Sequence, residues 1–300
     1  MKKKKASMFD VCNTIFMLLI LFITLYPLYY TVIASFSSPN AVALGKVTWW
    51  PIEFTLVAYE RVIEHKRIWL GYANTIYYTV FGTLLNLALT IPAAYTMSKK
   101  NLPHRSFITT IFIIPMYFSG GMIPTYLLVK NLELLNTRAI LLILGGLSIY
   151  NFIVTRTYFS TSISESLYEA ADMDGAGELK KFFAIAVPLS KPIIAVMTLY
   201  YAVARWNNYF NALIYVTNKD YEPLQAVLRR ILILNEAIYG EISANSSATM
   251  EELQSAAEAA AMAYTMKYAV VFIASAPLLI MYPFIQKYFV KGVMIGAVKE

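Results

Sequence analysis

In a chain of 300 residues, 58% are hydrophobic and only 14% charged, against soluble norms of about 45–50% and 25%. A soluble core cannot absorb that much apolar surface, so the first reading is a protein that crosses a membrane several times. One cysteine, Cys12, excludes an internal disulfide and a cysteine-ligated metal, and His65 and His104 are too far apart for a histidine metal centre.

Crossing a hydrocarbon core of about 30 Å takes roughly 20 helical residues. Six stretches meet that length: Val11–Phe36, Thr75–Met97, Ile108–Val129, Ala139–Phe159, Ile193–Val216 and Tyr264–Phe289. Prolines in or beside them (Pro27, Pro92, Pro115, Pro124, Pro192, Pro277, Pro283) are tolerated where neighbouring helices satisfy the freed carbonyls. Lys2 to Lys5 ahead of the first run is also the opening of a secretory signal. The run exceeds a signal's apolar core of about 7–15 residues and carries Tyr26, Pro27, Tyr29 and Tyr30 near its far end, so it reads as an uncleaved first helix.

The four lysines before helix 1 and the short loop from Lys99 to Arg105 place both termini in the cytoplasm. The long external segments are then residues 37–74 and 218–263, and over all external pieces ten basic residues stand against eleven acidic ones. The net charge of +7 therefore follows from topology and does not point to nucleic acid. Trp49, Trp50 and Trp69 suit an amphipathic segment at headgroup level, and Thr249 with Glu252 reads as a capping box. The helix opened there is expected to run through Ala256–Ala263 into the sixth span.

Nothing in the chain suggests covalent chemistry. It has no Walker lysine motif; Gly175-Ala176-Gly177 lacks a third glycine and a preceding strand; and no serine-histidine-acid set is visible. The charged segment of about 162–188 between spans 4 and 5 is the strongest signal. Ser162 and Glu165 read as a capping box, and Gly175 as the left-handed residue that ends a helix. Ala170 and Ala171 are small enough to let another protein approach the backbone. A second helix carrying Leu179, Phe182, Phe183 and Ile185 leads back to the membrane at Pro188.

Along span 5, Tyr200, Tyr201, Arg205, Trp206, Asn207, Asn208, Tyr209 and Asn211 suit a carbohydrate path, because ring faces stack on sugars and Asn and Arg donate to hydroxyls. An arginine at mid-helix costs roughly 2.5–3.5 kcal/mol on insertion scales, so Arg205 should face a cavity or a polar partner between helices. Arg156 reads as snorkelling. Gly120-Gly121, between Pro115 and Pro124, suggests a broken third helix that bends, brings backbone near substrate, or packs closely. Tyr150 and Asn151 are further path candidates.

Glu169-Ala170-Ala171, three residues, Gly175, nine residues, then Ile185 and Pro188 resembles the coupling loop of ABC importer permeases, with Val187 where leucine is usual. The resemblance extends over nearly the whole chain to the six-helix membrane subunit of maltose-type carbohydrate importers, and within these to the complex-oligosaccharide branch. Phe118 to Tyr126, Trp206 to Leu213, Pro223-Leu224-Gln225 and the tail from Tyr282 to Lys299 carry the closer match; Glu300 stands where glycine often ends such chains.

The resemblance implies an all-α membrane protein of the type I ABC importer permease fold: six transmembrane helices in one domain, residues 1–300, with a cytoplasmic coupling helix. It implies a second homologous permease forming a heterodimer, two ATPase subunits holding ATP and Mg, an external sugar-binding protein and an oligosaccharide substrate, in a bacterial plasma membrane. No cofactor is expected on this chain. Glu169, with Asp172 and Asp174 at the border, would sit in a cleft of the ATPase, and the tail from Gly292 would touch the ATPase dimer. Sugar contacts would come mainly from the larger permease. The alternative, a self-sufficient secondary transporter, usually carries intramembrane acids for its coupling ion, and no Asp or Glu lies in the six spans. An intramembrane enzyme would need a catalytic group at membrane depth, and none is visible.

Overall fold

The computed structural model describes residues 8–231, 233 and 249–297, and among these no strand occurs. Expectations resting on Lys2–Lys5, on residues 234–248, on Lys299 and Glu300, and on most side chains of the tail beyond Tyr282 lie outside the described residues. The chain divides into two compact units. One runs to Ile68 and resumes from Leu228 to Ala276; the other holds Trp69–Val227 and the residues from Pro277 on.

In the first unit, α1 (Met8–Ser35) is exposed on nearly every side and buries only Ile33, Ala34 and Ser35 at its end. An apolar helix of this kind is stable in lipid or against another chain. The buried end packs on Ala41, Val42 and Val47, where Ser38 caps α2 (Pro39–Ala43) and proline takes the first helical position. Tyr26 Oη donates to Thr48 O (3.2 Å), Tyr29 Oη donates to Trp49 O, and the Trp49 ring lies tilted against that of Tyr26, centroids 5.1 Å apart. These contacts fold the Trp49 segment back onto α1. α3 (Val57–Glu64) follows, with Tyr59 Oη 2.8 Å from Ser35 Oγ.

The second unit is built, from Trp69 on, on α4 (Lys66–Ser98), a helix of 33 residues that begins well before the expected Thr75. Its early turns carry Lys66 and Arg67, charges that mask the helix in an apolar reading. α5 (Arg105–Tyr117) and α6 (Met122–Asn131) form the third expected span, bent by 113° at Phe118–Gly121. Gly121 has φ +83° and ψ −180°, a conformation open essentially to glycine alone.

Two further expected spans are not continuous helices. The fourth is α7 (Arg138–Ile143) and α8 (Ile149–Ser162), parted where Gly145 takes φ +72°. After α9 (Glu165–Met173), α10 (Glu178–Lys181), a π-turn over Phe182–Ala186 and α11 (Val187–Leu189), the fifth span begins as α12 (Lys191–Trp206). It stops at Asn207 and resumes as α13 (Phe210–Tyr215). α14 covers residues 224–231.

α15 (Met250–Ala297) is one helix of 48 residues, so the Ala-rich segment does run into the sixth span. The capping box at its start is formed on both sides: Glu252 N donates to Thr249 Oγ1 (3.2 Å) and Thr249 N to Glu252 Oε2 (2.9 Å). Among the described residues, Met8–Ser35, Lys66–Ser98 and Met250–Pro277 are each long and apolar enough to cross a membrane; α5–α6 and residues 178–206 reach that length only as bent pairs.

Candidate functional site

The polar corner between α8 and α12 is built around α9. Its exit is a complete Schellman motif: Ala176 N donates to Ala171 O (2.9 Å), Gly175 N to Asp172 O (3.0 Å), and Gly175 sits at φ +70°. The entry differs from the expected capping box. Ser162 is the last residue of α8, α9 opens after Ser164, and Ser164 makes no side-chain cap. Glu165 does not reach back to cap; it pairs with Lys100 at 2.5 Å.

Glu169, Ala170, Asp172, Asp174 and Gly175 are all exposed, and Met173 and Leu179 stand out at 90% and 75%. That is an apolar and acidic face with room for another protein. Ala171 departs from the reading of paired small residues at a surface: it is buried and turns inward.

The inner side of α9 meets α4. Lys99 Nζ lies 3.1 Å from the Tyr168 ring centroid and 4.6 Å from that of Tyr95, whose rings are themselves 6.1 Å apart. Desolvated cation–π contacts contribute on the order of 2 kcal/mol. Burial lowers the Lys99 pKa below the ordinary lysine value, with Glu178, Asp172 and Glu165 opposing the shift. Burial likewise raises the Tyr168 pKa, and Glu178 adds to it. Tyr95 packs in a buried cluster with Phe159, Phe182 and Ala186, and its Oη donates to Glu178 Oε2 (3.3 Å). Buried Lys181 pairs with Asp172 (2.6 Å) and Glu178 (2.5 Å), tying α9 to α10.

The path candidates are dispersed. Arg205 is 6% exposed and is held as an interhelical clasp, not presented to an open path. Its Nε donates to Asn86 Oδ1 (2.9 Å), Nη1 to Leu141 O (2.7 Å) and Leu144 O (2.9 Å), and Nη2 to Leu142 O (2.9 Å). Asn86 Nδ2 donates to Gly145 O (2.6 Å) and Gly146 O (2.7 Å). With Leu144 N on Ile140 O and Gly146 N on Ile143 O, every carbonyl from Ile140 to Gly146 is satisfied. Backbone carbonyls at a helix break away from water require this accounting.

Trp206 is buried edge-on against Tyr72. Asn207, Asn208 and Tyr209 lie in the break after α12, and Asn207 Nδ2 turns back to Val203 O (3.0 Å). Asn211 is half-buried on α13, Asn151 is buried in the first turn of α8, and Tyr150 is exposed beside it. Gly120 and Gly121 are exposed at the bend between α5 and α6. Arg156 does not snorkel freely: its Nε and that of Arg105 both donate to Met97 O at 3.1 Å, closing the end of α4.

Sequence reasoning missed Asn86, Lys99 and Tyr168. Asn86 had a usable signal, a polar amide in the middle of an apolar span. Lys99 counted only as a topology charge.

Residues 68–295 match the family described as the binding-protein-dependent transport system inner membrane component. Protein LplC of Bacillus subtilis (strain 168) is 38% identical over 296 residues, covering 99% of this chain and 96% of that protein. The polygalacturonan/rhamnogalacturonan transport system permease protein YtcP of the same organism is 35% identical over 98% of this chain and 99% of the relative. The crystal structure of a bacterial ABC transporter involved in the import of the acidic polysaccharide alginate contains a chain that superposes with a TM-score of 0.81 at 34% identity, covering 96% of this chain and 99% of that one. With spans, breaks and the α9 corner in place, this chain belongs to the binding-protein-dependent transport system inner membrane components, the multi-pass permease subunits of ABC importers.

Proposed function

We propose that this chain forms half of the translocation pathway of an ATP-driven importer for oligosaccharides. The observation that carries the reading is α9, a short helix closed by Gly175, with Glu169, Ala170 and Met173 facing outward. A second, homologous permease supplies the other half, and two cytoplasmic ATPase subunits hold ATP and Mg and receive α9. An external binding protein delivers the sugar. Both termini lie in the cytoplasm of a bacterial cell, and residues 1–300 act as one permease domain in which both units take part.

Binding of ATP favours a closed ATPase dimer, and only that differential affinity can drive the channel between outward- and inward-open forms. The relatives' substrates, polygalacturonan/rhamnogalacturonan and alginate, support a carbohydrate cargo. Because Arg205 is spent on backbone carbonyls, sugar contacts on this chain fall to exposed groups such as Tyr150, Tyr209, Asn207 and the Gly120-Gly121 backbone, with the remainder on the partner permease.

The test is gentle solubilisation of the tagged chain from its native membrane, mass spectrometry of what accompanies it, and sugar uptake by the reconstituted assembly. A second permease, an ATPase in twofold excess and ATP-dependent uptake are expected. A homo-oligomer without ATPase, carrying solute down an ion gradient, would replace the reading with a secondary transporter.

A further inference from the structure

We propose that Lys99, held between the rings of Tyr168 and Tyr95, is the positioning residue through which movement of α9 enters the membrane helix α4. The inference rests on α9 being the ATPase-facing helix. A displaced α9 does work on the channel only if something grips its inner side.

Besides the direct contact of the Tyr95 and Tyr168 rings (6.1 Å), three side-chain links through a cation are available at the corner. Lys100–Glu165 joins the loop after α4 to α9, but its side chains are 72% and 54% exposed, so water and salt screen it. Lys181–Asp172 is shielded on the lysine side but ends on α10, not on a long span. Lys99 lies one residue beyond α4 and sits on the face of Tyr168 of α9 at 3.1 Å. The same ammonium reaches Tyr95, which is 5% exposed and packed on Phe159 of α8 and on Phe182. Of the three, the Lys99 link joins α9 to a buried residue of α4 through partly desolvated contacts, and it bridges the two rings that already meet at 6.1 Å.

The backbone exits from α9 are weaker conduits. Gly175 stands in open space with nothing within 4 Å of where a Cβ would lie. It turns the chain without bracing it.

The experiment uses the complete transporter in proteoliposomes and reads sugar imported per ATP hydrolysed. Lys99→Met keeps most of the aliphatic length and removes the charge; a fall of about 2- to 30-fold in the ratio is expected, the scale found for residues between coupled sites. Tyr168→Leu, which also removes the ring contact with Tyr95, should fall at least as far, and the double variant should be no worse than Tyr168→Leu alone. Lys99→Arg should retain coupling, because guanidinium also stacks on aromatic rings. Lys100→Met should leave the ratio unchanged.

A second measurement covers variants that assemble poorly. Spin labels at Thr96 on α4 and Ser166 on α9, in a Cys12→Ser background, should keep one separation with and without ATP in the otherwise native protein. In Lys99→Met the separation should change with ATP. Native coupling in assembled Lys99→Met, or equal ATP-dependent changes with and without Lys99, overturns the inference while leaving the importer reading intact. A native complex that imports no sugar with ATP removes both.

Discussion

Arg205 and Asn86 meet at 2.9 Å, Nε to Oδ1, and divide between them five of the six carbonyls from Leu141 to Gly146, which the helix break would otherwise leave without a partner. A buried polar group without a partner costs about 1–3 kcal/mol. Asn86→Ala should therefore lower the thermal midpoint of the detergent-solubilised complex, and Arg205→Gln should lower it further. Arg205→Lys should not restore it, since an ammonium cannot reproduce the guanidinium fork. Native stability in Arg205→Gln would mean that water serves these carbonyls.

Gly82 faces the same arginine. A Cβ there would stand 2.8 Å from Arg205 Nε and 2.9 Å from Cδ, atoms pinned by the hydrogen bonds just described. Gly82→Ala should destabilise by about 1–3 kcal/mol, as overpacking does. In an Arg205→Ala background the added methyl should cost far less, a non-additivity that a double-mutant cycle measures directly.

At Gly175 the space is open, so substitution strains only the backbone, by roughly 1–2 kcal/mol for most side chains. Gly175→Asn should couple nearly normally, because asparagine tolerates the left-handed region. Gly175→Val should uncouple ATP hydrolysis from uptake while the protein still inserts. Gly175→Asp, placing a third carboxylate beside Asp172 and Asp174, should also uncouple. Equal uptake in all three would remove α9 from the coupling path.

The N-terminal part of α4 grips the segment at the start of α14. Asn74 Nδ2 donates to Asp220 O (2.7 Å) and Glu222 O (3.0 Å), and Thr75 Oγ1 accepts from Leu224 N (2.8 Å). A Cβ on Gly71 would lie 3.1 Å from Leu224 Cα, which is backbone and cannot swing aside. Asn74→Ala and Gly71→Ala should each raise hydrogen exchange over residues 218–227 while leaving residues 165–176 unchanged.

Much of this was readable from residue types. Thr249 and Glu252 capped the helix that their spacing announced, and Gly175 ended α9 where a left-handed residue was required. Gly120-Gly121 broke the third span between its two prolines. The fourth span read as continuous because Gly145-Gly146 lies inside an apolar run, and hydropathy does not register a positive φ. The clasp that makes the break tolerable comes from residues far away in sequence, a pairing that periodicity cannot show. Asn207 to Tyr209 read as helix because no glycine or proline marks the break there, and the early turns of α4 were hidden by Lys66 and Arg67.

The carbonyls of Leu141, Leu142 and Leu144 precede their donor by 64, 63 and 61 residues. During synthesis that stretch leaves the ribosome well before Arg205 exists, so α7 waits with its end unclosed. The break between α7 and α8 is therefore closed only once α12 has arrived beside α4. Nascent chains cut short of position 205 should leave α7 open to water-soluble reagents, and chains extended past it should not.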